Sequence, residues 1–314
     1  MAAAVLAFLA WPAAASAHLR SGTIAVDYRA SIMAPDTSAY VASIYQSDHG
    51  LNLTLKPGHS VVVLGYLSEP VFRLDAAGLS VNVASPTSVT VGLATKAQRI
   101  VARTPRWRLQ PGRRSAVWHD ARVQGLPPGL SQGLWSVPLI VDGRHTHLEG
   151  ELRRFPPPSL WPWLGILGCF LAAAAAPLLL RRHDLLRTSA IGFAVTTAVA
   201  SVVIALAFAL DAYASPGTWI AGGDEIVFLA VGLGVLLRGP RHLHVGAAVG
   251  VGLLGLAIGI SEGAIFLHPV VLASLPATIT RLLAIVAIGA GVTAGALGGA
   301  FYATTPTARR SSSI

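Results

Sequence analysis

The sequence predicts an exported β-sandwich of the immunoglobulin-like class followed by an α-helical transmembrane bundle. Three observations lead to this prediction: a signal-peptide pattern, a polar stretch of short alternating segments, and five long apolar runs in the second half. The predicted boundaries are 1–17 for the signal peptide, 18–157 for the β domain, 158–303 for five transmembrane helices and 304–314 for a disordered cytoplasmic tail.

The N-terminus has the features of a secretory signal peptide. Residues Val5–Trp11 form an apolar core, and Ala15–Ala17 match the small-residue pattern of a cleavage site. Cleavage after Ala17 would make His18 the first residue of the mature chain. The only cysteine, Cys169, lies in an apolar run, so an intramolecular disulfide is impossible and the exported domain must be held by its own core.

The stretch after the predicted cleavage site has the pattern of antiparallel strands. Leu51–Leu55 alternates between apolar and polar side chains, Lys56–His59 forms a turn, and Val61–Leu64 follows as a buried strand. Further strands are predicted for Thr23–Tyr28, Tyr40–Tyr45, Val71–Leu74, Leu79–Val83, Val89–Leu93, Arg114–Trp118, Leu134–Val141 and His145–Arg153. About 140 residues with this many strands are typical of a β-sandwich. We expect its tryptophans, Trp107, Trp118 and Trp135, to pack in the core.

The second half contains five apolar runs, each long enough to cross a bilayer as a helix, which takes roughly 20 residues. They are Leu160–Leu180, Ser189–Ala212, Thr218–Leu237, Val245–Gly263 and Ile279–Tyr302. Three arginine clusters fall on one side of this bundle: Arg181, Arg182 and Arg187; Arg238 and Arg241; Arg309 and Arg310. The positive-inside rule places that side, and the C-terminus, in the cytoplasm. The β domain is therefore predicted to lie outside the plasma membrane.

Composition agrees with a membrane protein. The 314-residue chain is 53% hydrophobic and 12% charged, whereas soluble proteins contain roughly 25% charged residues. The net charge of +9 comes almost entirely from arginine, because Lys56 and Lys96 are the only lysines. This arginine use indicates a GC-rich genome, and the expected partner is the lipid bilayer rather than a nucleic acid.

Glycines are frequent in the fourth and fifth predicted spans, where small residues let helix backbones approach closely. We interpret them as tight packing within one bundle, and a homodimer face is the alternative.

Six ionisable residues cluster near the predicted outer ends of the spans. They are Asp211, Asp224, Glu225, Glu262, His268 and Arg281. Ionisable groups inside a membrane are costly and mark functional sites, so these could form a metal or proton site. The alternative is a structural set of ion pairs, because side chains at helix ends reach the interface at little cost.

Three short sequence segments of the β domain together resemble those of a known group of proteins. They are Val61–Tyr66 followed by Glu69-Pro70, then Trp118–Arg122, and then Trp135–Gly143. Together they resemble a group of uncharacterised actinobacterial membrane proteins, in which a signal peptide and a β domain with a W-H-D-H-R signature precede about five helices. The resemblance covers most of the mature chain and implies this architecture. The sequence has Ala121 where the group usually has a second histidine, so one candidate metal ligand is missing.

A second, looser resemblance is to copper-resistance proteins of the C and D type. In these, an exported β-sandwich that begins with histidine is joined to helical membrane segments, and the N-terminal histidine contributes to a Cu(II) site. The resemblance implies a site formed by His18, His119 and Asp120, since Cu(II) favours nitrogen and oxygen ligands. Alternatively, Asp120 pairs with Arg122 two positions on, and His119 points to the opposite face of its strand.

Two further histidines, His145 and His147, share a strand face and are a weaker alternative as ligands. No Walker loop, G-x-S-x-G, H-E-x-x-H or C-x-x-C pattern occurs, so the sequence does not predict an enzyme. The leading hypothesis is a membrane protein that handles a metal ion, with copper as the first candidate. The rival hypothesis is a non-catalytic structural or assembly component that binds another envelope protein.

Overall fold

The computed structural model describes residues 24–45, 50–94, 104–123, 126–211 and 218–304. The predicted signal peptide, His18 and the arginines at 309 and 310 lie outside these ranges. The chain forms two compact units: Val26–Pro156 makes up one, and the residues up to Ala25 and from Pro157 onward belong to the other.

The first unit is built from antiparallel sheets. Its strands are β2 (Tyr28–Ile32), β3 (Tyr40–Tyr45), β4 (Gly50–Leu55), β5 (Val61–Leu64), β6 (Pro70–Asp75), β7 (Gly78–Asn82), β8 (Trp107–Pro111), β9 (Ser115–His119), β10 (Gln132–Val141) and β11 (Arg144–Arg154); two further short strands, β1 (Ala25–Val26) and β12 (Val270–Val271), form a separate pair. Seven of them form one sheet in the order β2-β11-β10-β5-β6-β7-β8, and a second sheet has the order β3-β4-β9. A mostly antiparallel β domain is therefore confirmed.

The core of this unit follows the alternation that the sequence predicts. Val61, Val63 and Phe72 are almost completely buried, and they lie on one face of the larger sheet. The ring of Phe72 meets that of Trp118 on β9 edge to face, with centroids 4.9 Å apart. This contact joins the two sheets and places Trp118 in the core, as expected.

Two local expectations are wrong. Residues Val89–Leu93 do not form a strand, because helix α1 (Pro86–Thr90) occupies this region. Ser85 caps the helix by accepting a hydrogen bond from the Ser88 N–H, and a proline at the first position favours this start. Trp107 is not a core residue, since it keeps 36% of its surface exposed on the terminal strand β8.

The second unit is helical. Its helices are α2 (Trp161–Leu180), α3 (His183–Ala209), α4 (Thr218–Arg238), α5 (His244–Ser261), α6 (Ala264–Leu267) and α7 (Ala277–Thr304). Four stretches in the described part of the chain are long and apolar enough to cross a membrane: Trp161–Leu180, His183–Ala209, Arg241–Ser261 and Ala277–Thr304. In α4 the apolar stretch Ile226–Arg238 is shorter than a span, so a fifth crossing stays a prediction.

Two of the predicted arginine clusters meet at one end of the helical unit. The Arg187 guanidinium at the start of α3 lies 3.4 Å from Nδ1 of His244, and Nε2 of His244 lies 2.9 Å from the carbonyl oxygen of Gly239. Nε2 of His183 lies 3.1 Å from the Thr304 carbonyl oxygen at the end of α7. The described helices therefore alternate in direction, as the predicted topology requires.

Glycines allow α5 and α7 to touch through their backbones. A Cβ atom on Gly252 would lie 2.9 Å from the carbonyl oxygen of Gly291, and one on Gly291 would lie 2.6 Å from that of Gly252. Packing within the bundle is confirmed for this pair. Other glycines, such as Gly250 and Gly295, have open space around them.

The first described residues belong to the helical unit rather than to the β domain. Strand β1 pairs with β12, and the Leu272 N–H donates to the carbonyl oxygen of Ile24 at 2.9 Å. Ala25 is buried in an apolar cluster with Ile204 and Phe208 of α3. The predicted strand Thr23–Tyr28 is therefore divided, because Tyr28 already starts β2.

Candidate functional site

The Trp118–Arg122 segment forms a group of hydrogen bonds around a buried carboxylate at the end of β9. The strand ends at His119, and a 3-10 turn, Ala121–Val123, follows. Asp120 lies between them with its side chain fully buried. It accepts hydrogen bonds from Trp118 Nε1 at 3.0 Å, from the Arg122 backbone N–H at 3.1 Å, and from Arg122 Nε and Nη2 at 2.8 and 2.7 Å.

Arg122 connects this group of hydrogen bonds to the larger sheet. Its two terminal nitrogens both donate to the carbonyl oxygen of Leu64 at 3.2 Å, at the end of β5. Its guanidinium lies 4.9 Å from the centroid of the Tyr66 ring, and the Tyr66 hydroxyl accepts from the Ala121 N–H at 2.9 Å. Burial, together with the nearby Asp120 carboxylate, raises the pKa of Tyr66. The segment therefore ties β9 to β5 through charge-assisted hydrogen bonds.

This geometry confirms the pairing of Asp120 with Arg122 that the sequence allows. His119 is exposed whereas Asp120 is buried, so the two side chains point apart. Because both oxygens of Asp120 already accept hydrogen bonds, binding Cu(II) would first require Asp120 to release Trp118 and Arg122. His18 lies outside the described residues, and within the described ranges no group of three or more His, Cys, Asp or Glu residues is placed to hold a metal ion.

A second group of hydrogen bonds, centred on Glu69, holds the loop between β5 and β6 in place. Glu69 accepts from the Ser85 hydroxyl at 2.7 Å, from the Thr87 N–H at 3.3 Å and from the Leu67 N–H at 3.0 Å. Burial by itself would raise the pKa of Glu69, but the hydrogen bonds from Thr87 and Ser85 outweigh it and lower the pKa. Gly65 is required here, because a Cβ atom would lie 2.6 Å from the Glu69 carboxylate.

The sequence reasoning did not find this role for Glu69. The only available signal was Ser85-Pro86, which marks the start of a helix that a carboxylate could cap.

His59 and His147 each contact a neighbouring turn or strand of the β domain. Asp142, at the turn between β10 and β11, lies 2.7 Å from Nδ1 of His59, and this hydrogen bond is the main reason that the pKa of Asp142 is lowered. Nδ1 of His147 lies 3.0 Å from the Ser136 hydroxyl on the neighbouring strand. His145 and His147 are both exposed, which agrees with a polar strand face.

Strand β8 and the residues next to it expose several arginines. β8 is the last strand in the larger sheet, and nearly all of its side chains are exposed. Trp107 and Leu109 point to the same side, with exposed fractions of 36% and 49%, and the Arg73 guanidinium lies 5.3 Å from the centre of the Trp107 ring. Exposed arginines are close to them along the chain: Arg106, Arg108, Arg113 and Arg114. Arg108 points to the opposite face of the strand, because side chains alternate along it.

Arg281, a member of the predicted outer cluster, lies in α7 and is 7% exposed. Its Nε donates to the Ile265 carbonyl oxygen at 2.7 Å, and its Nη2 donates to those of His268 and Pro269 at 2.9 Å. Arg281 thus binds the connection between α5 and α7 through backbone oxygens, which no sequence pattern indicated. Glu262 is 1% exposed at the end of α5.

The other acidic members of the cluster are only partly described. Asp211 follows the end of α3 and is half-buried. The connection after α6 reaches this end of α3, since the backbone N–H and hydroxyl of Ser274 donate to the Ala207 carbonyl oxygen at 2.8 and 3.0 Å. Asp224 and Glu225 lie in α4, and their side chains are outside the described part of the structure.

Comparison with known proteins gives no match. No protein-family model, curated protein or solved structure matches this chain. The resemblances stated from the sequence therefore remain expectations, and function has to be argued from the site alone.

Proposed function

We propose that this protein is a non-catalytic component of the cell envelope, anchored in the plasma membrane by its apolar helices. Its β domain, which we infer to be an immunoglobulin-like sandwich, lies outside and binds an acidic segment of another envelope protein through β8. The Phe72–Trp118 contact between the two sheets supports the sandwich. The exposed surface of β8 is the observation that carries the binding proposal.

The side chains of β8 are of the types that dominate protein interfaces. Tryptophan and arginine are enriched among the residues that contribute most binding energy, and Trp107 stands between Arg106 and Arg108. Positive charge on a terminal strand also discourages pairing between sheet edges. Preventing edge-to-edge pairing would require only charged side chains. Trp107 and Leu109 also expose apolar area, which favours binding to a partner.

The charge of this surface identifies the partner's chemistry. Residues 104–114 contain Arg106, Arg108, Arg113 and Arg114 and no Asp or Glu. An acidic segment would satisfy these guanidinium groups by paired hydrogen bonds. Association should then weaken as salt increases.

Site-specific photo-crosslinking in intact cells tests this proposal. A benzoylphenylalanine at Leu109 should give one discrete protein adduct, and reversing two charges with Arg108→Glu and Arg113→Glu should remove it. A probe at Val41 is the matched control, because it is exposed to a similar degree on the other sheet, 41% against 49%. No adduct at Leu109, or an adduct that survives the charge reversal, would contradict the proposal.

Metal handling is the second candidate, and it is supported by the exposure of His119 at the end of β9. The copper site would then use His18 and His119, with the outer helix-end cluster receiving the ion. Isothermal titration of the full-length protein in detergent with Cu(II) tests it. Saturable uptake that is lost in both His18→Ala and His119→Ala, but kept in His242→Ala, is the expected result. Uptake that no single histidine variant changes would exclude this site.

A further inference from the structure

The free edge of β8 has backbone groups that its neighbour β7 does not use. In the described part of the chain no strand lies beyond β8 in the larger sheet. On the side of β7, the Val83 N–H donates to the Arg106 carbonyl oxygen at 2.9 Å. In an antiparallel pair such bonds recur at every second residue, and the register continues without a shift. Trp107 and Leu109 therefore point their N–H and C=O groups away from β7.

Two prolines limit the length of this edge. Pro105 precedes the strand and Pro111 ends it, and neither has an N–H group to donate. Proline is tolerated in a sheet where its missing N–H would point away from the neighbouring strand, and the register gives Pro111 that position. Between the prolines, Trp107 and Leu109 supply the outward N–H groups. The edge thus suits one short added strand rather than extended pairing between sheets.

The two faces of β8 differ in chemistry. Because side chains alternate along a strand, Trp107 and Leu109 lie on one face, and Arg106 and Arg108 on the other. All four residues are exposed. Side chains directly across a strand pair lie on the same face and contact each other. A strand added at this edge would therefore place apolar side chains beside Trp107 and Leu109 and acidic ones beside the arginines.

The charge near this edge favours an acidic partner. Residues 76–119 contain no Asp or Glu but seven basic residues: Lys96, Arg99, Arg103, Arg106, Arg108, Arg113 and Arg114. In strand order the nearest carboxylate of the sheet is that of Asp75 on β6, beyond β7. It already lies 2.8 Å from Nε of Arg73. Electrostatic complementarity of this kind selects partners of opposite charge.

We propose that β8 binds its partner by strand addition, through an extended segment in which acidic and apolar residues alternate. This inference rests on the proposed function and specifies the sequence pattern of the partner. Backbone hydrogen bonds to Trp107 and Leu109 give affinity, and the alternating side chains give specificity. A second copy of the chain fits less well. Two-fold pairing of β8 with itself would bring the arginines of both copies together on one face, where like charges repel.

Binding of fluorescein-labelled peptides to the full-length protein in detergent tests this mode of pairing. The probe is a capped peptide of alternating glutamate and valine. Its control has the same composition, with the glutamates and the valines in two separate blocks. Two further peptides are alternating and carry N-methyl groups on every glutamate or on every valine. Because successive amides of a strand point to opposite edges, only one of these two sets of methyl groups faces β8.

We expect the added strand to be antiparallel, as every pair in the larger sheet is. The valine opposite Trp107 then directs its amide to β8, so methylation of the valines should weaken binding by about tenfold or more. Methylation of the glutamates should leave binding unchanged, and the blocked sequence should bind more weakly. Equal loss with both methylated peptides, equal binding of all the peptides, or no binding of the alternating peptide would overturn the proposal.

Crosslinking in cells separates this inference from the proposed function. With benzoylphenylalanine at Trp107, Leu109→Pro removes an outward N–H that β7 does not use, whereas Leu109→Ala keeps it. We expect the adduct to persist in Leu109→Ala and to be lost in Leu109→Pro at an unchanged melting temperature. If Leu109→Pro lowers the melting temperature, the peptide series on the wild type decides. An adduct in both variants would overturn strand addition but keep β8 as a binding surface. No adduct even with Leu109 intact would overturn the proposed function itself.

Discussion

Replacement of Asp120 is the sharpest test of the view that the Trp118–Arg122 segment is structural. In Asp120→Ala the buried carboxylate is removed, and Trp118 Nε1 and Arg122 Nε lose the acceptors at 3.0 and 2.8 Å. The Arg122 side chain is only 20% exposed, so water cannot fully replace the lost partner.

The expected loss of stability follows from this geometry. Removing one partner of a buried ion pair costs about 3–5 kcal/mol. Arg122 keeps some contact with water and its bonds to the Leu64 carbonyl oxygen, so we expect the lower end of that range, about 3 kcal/mol. Removing both charges in Asp120→Ala with Arg122→Met should cost less than the sum of the single changes, because no charge is then left unpaired.

Native-state hydrogen exchange of the full-length protein, read on peptides of β5 and β9, measures this loss where it occurs. A change of 3 kcal/mol corresponds to exchange that is about 100-fold faster. His119→Ala is the matched control, since the exposed neighbour should change stability by less than about 0.5 kcal/mol.

Exchange that is unchanged in Asp120→Ala would refute the structural role. The structural role would also be refuted if Cu(II) strongly slowed hydrogen exchange at β9 in the wild type and failed to do so in Asp120→Asn. The carboxylate would then bind a metal ion rather than Arg122.

Three further predictions concern the packing and pH response of the fold. Gly291→Ala should lower the thermal stability of the helical unit in detergent by separating α5 from α7, whereas Gly295→Ala, with open space around its Cβ position, should leave the melting temperature unchanged or higher. Gly150→Ala should destabilise the β domain by about 1–3 kcal/mol, because its Cβ would overlap the Trp135 ring; denaturant titration of tryptophan fluorescence would show the shift. The pKa of Glu69 is lowered in the folded state, so its contribution is complete above the ordinary value of about 4.5 and is lost as pH falls through the lowered pKa. Thermal melts across this acidic range should therefore depend less on pH in Glu69→Gln than in the wild type.

Much of the framework could be predicted from local pattern alone. The alternation in Leu51–Leu55 and the apolar run of Val61–Leu64 appear as β4 and β5, because side chains of period two must face one core. Four of the five apolar runs in the second half form helices long enough to span a bilayer, since only the helix satisfies its own backbone hydrogen bonds there. The spacing of Asp120 and Arg122 also allowed the ion pair that the structure contains.

Other features depended on partners that are distant in sequence. Trp107 and Trp118 are both aromatic residues in strands, yet one lies on the terminal strand β8 and the other under Phe72. Glu69 acquires its role only because Ser85 and Thr87 are brought to it. Local sequence records neither the position of a strand in its sheet nor the approach of a distant turn.

The sequence by itself determined which segments are apolar, how they alternate and where charge is concentrated, because these properties depend on neighbouring residues and on solvent. Only the tertiary structure decided which carboxylate meets which guanidinium. Asp120 is held by Arg122, Arg281 binds backbone carbonyl oxygens, and Arg29 faces Arg153 across a strand pair. The physical reason is that strand order and helix contacts are set by the burial of the whole chain, and these contacts fix the surroundings of every charge.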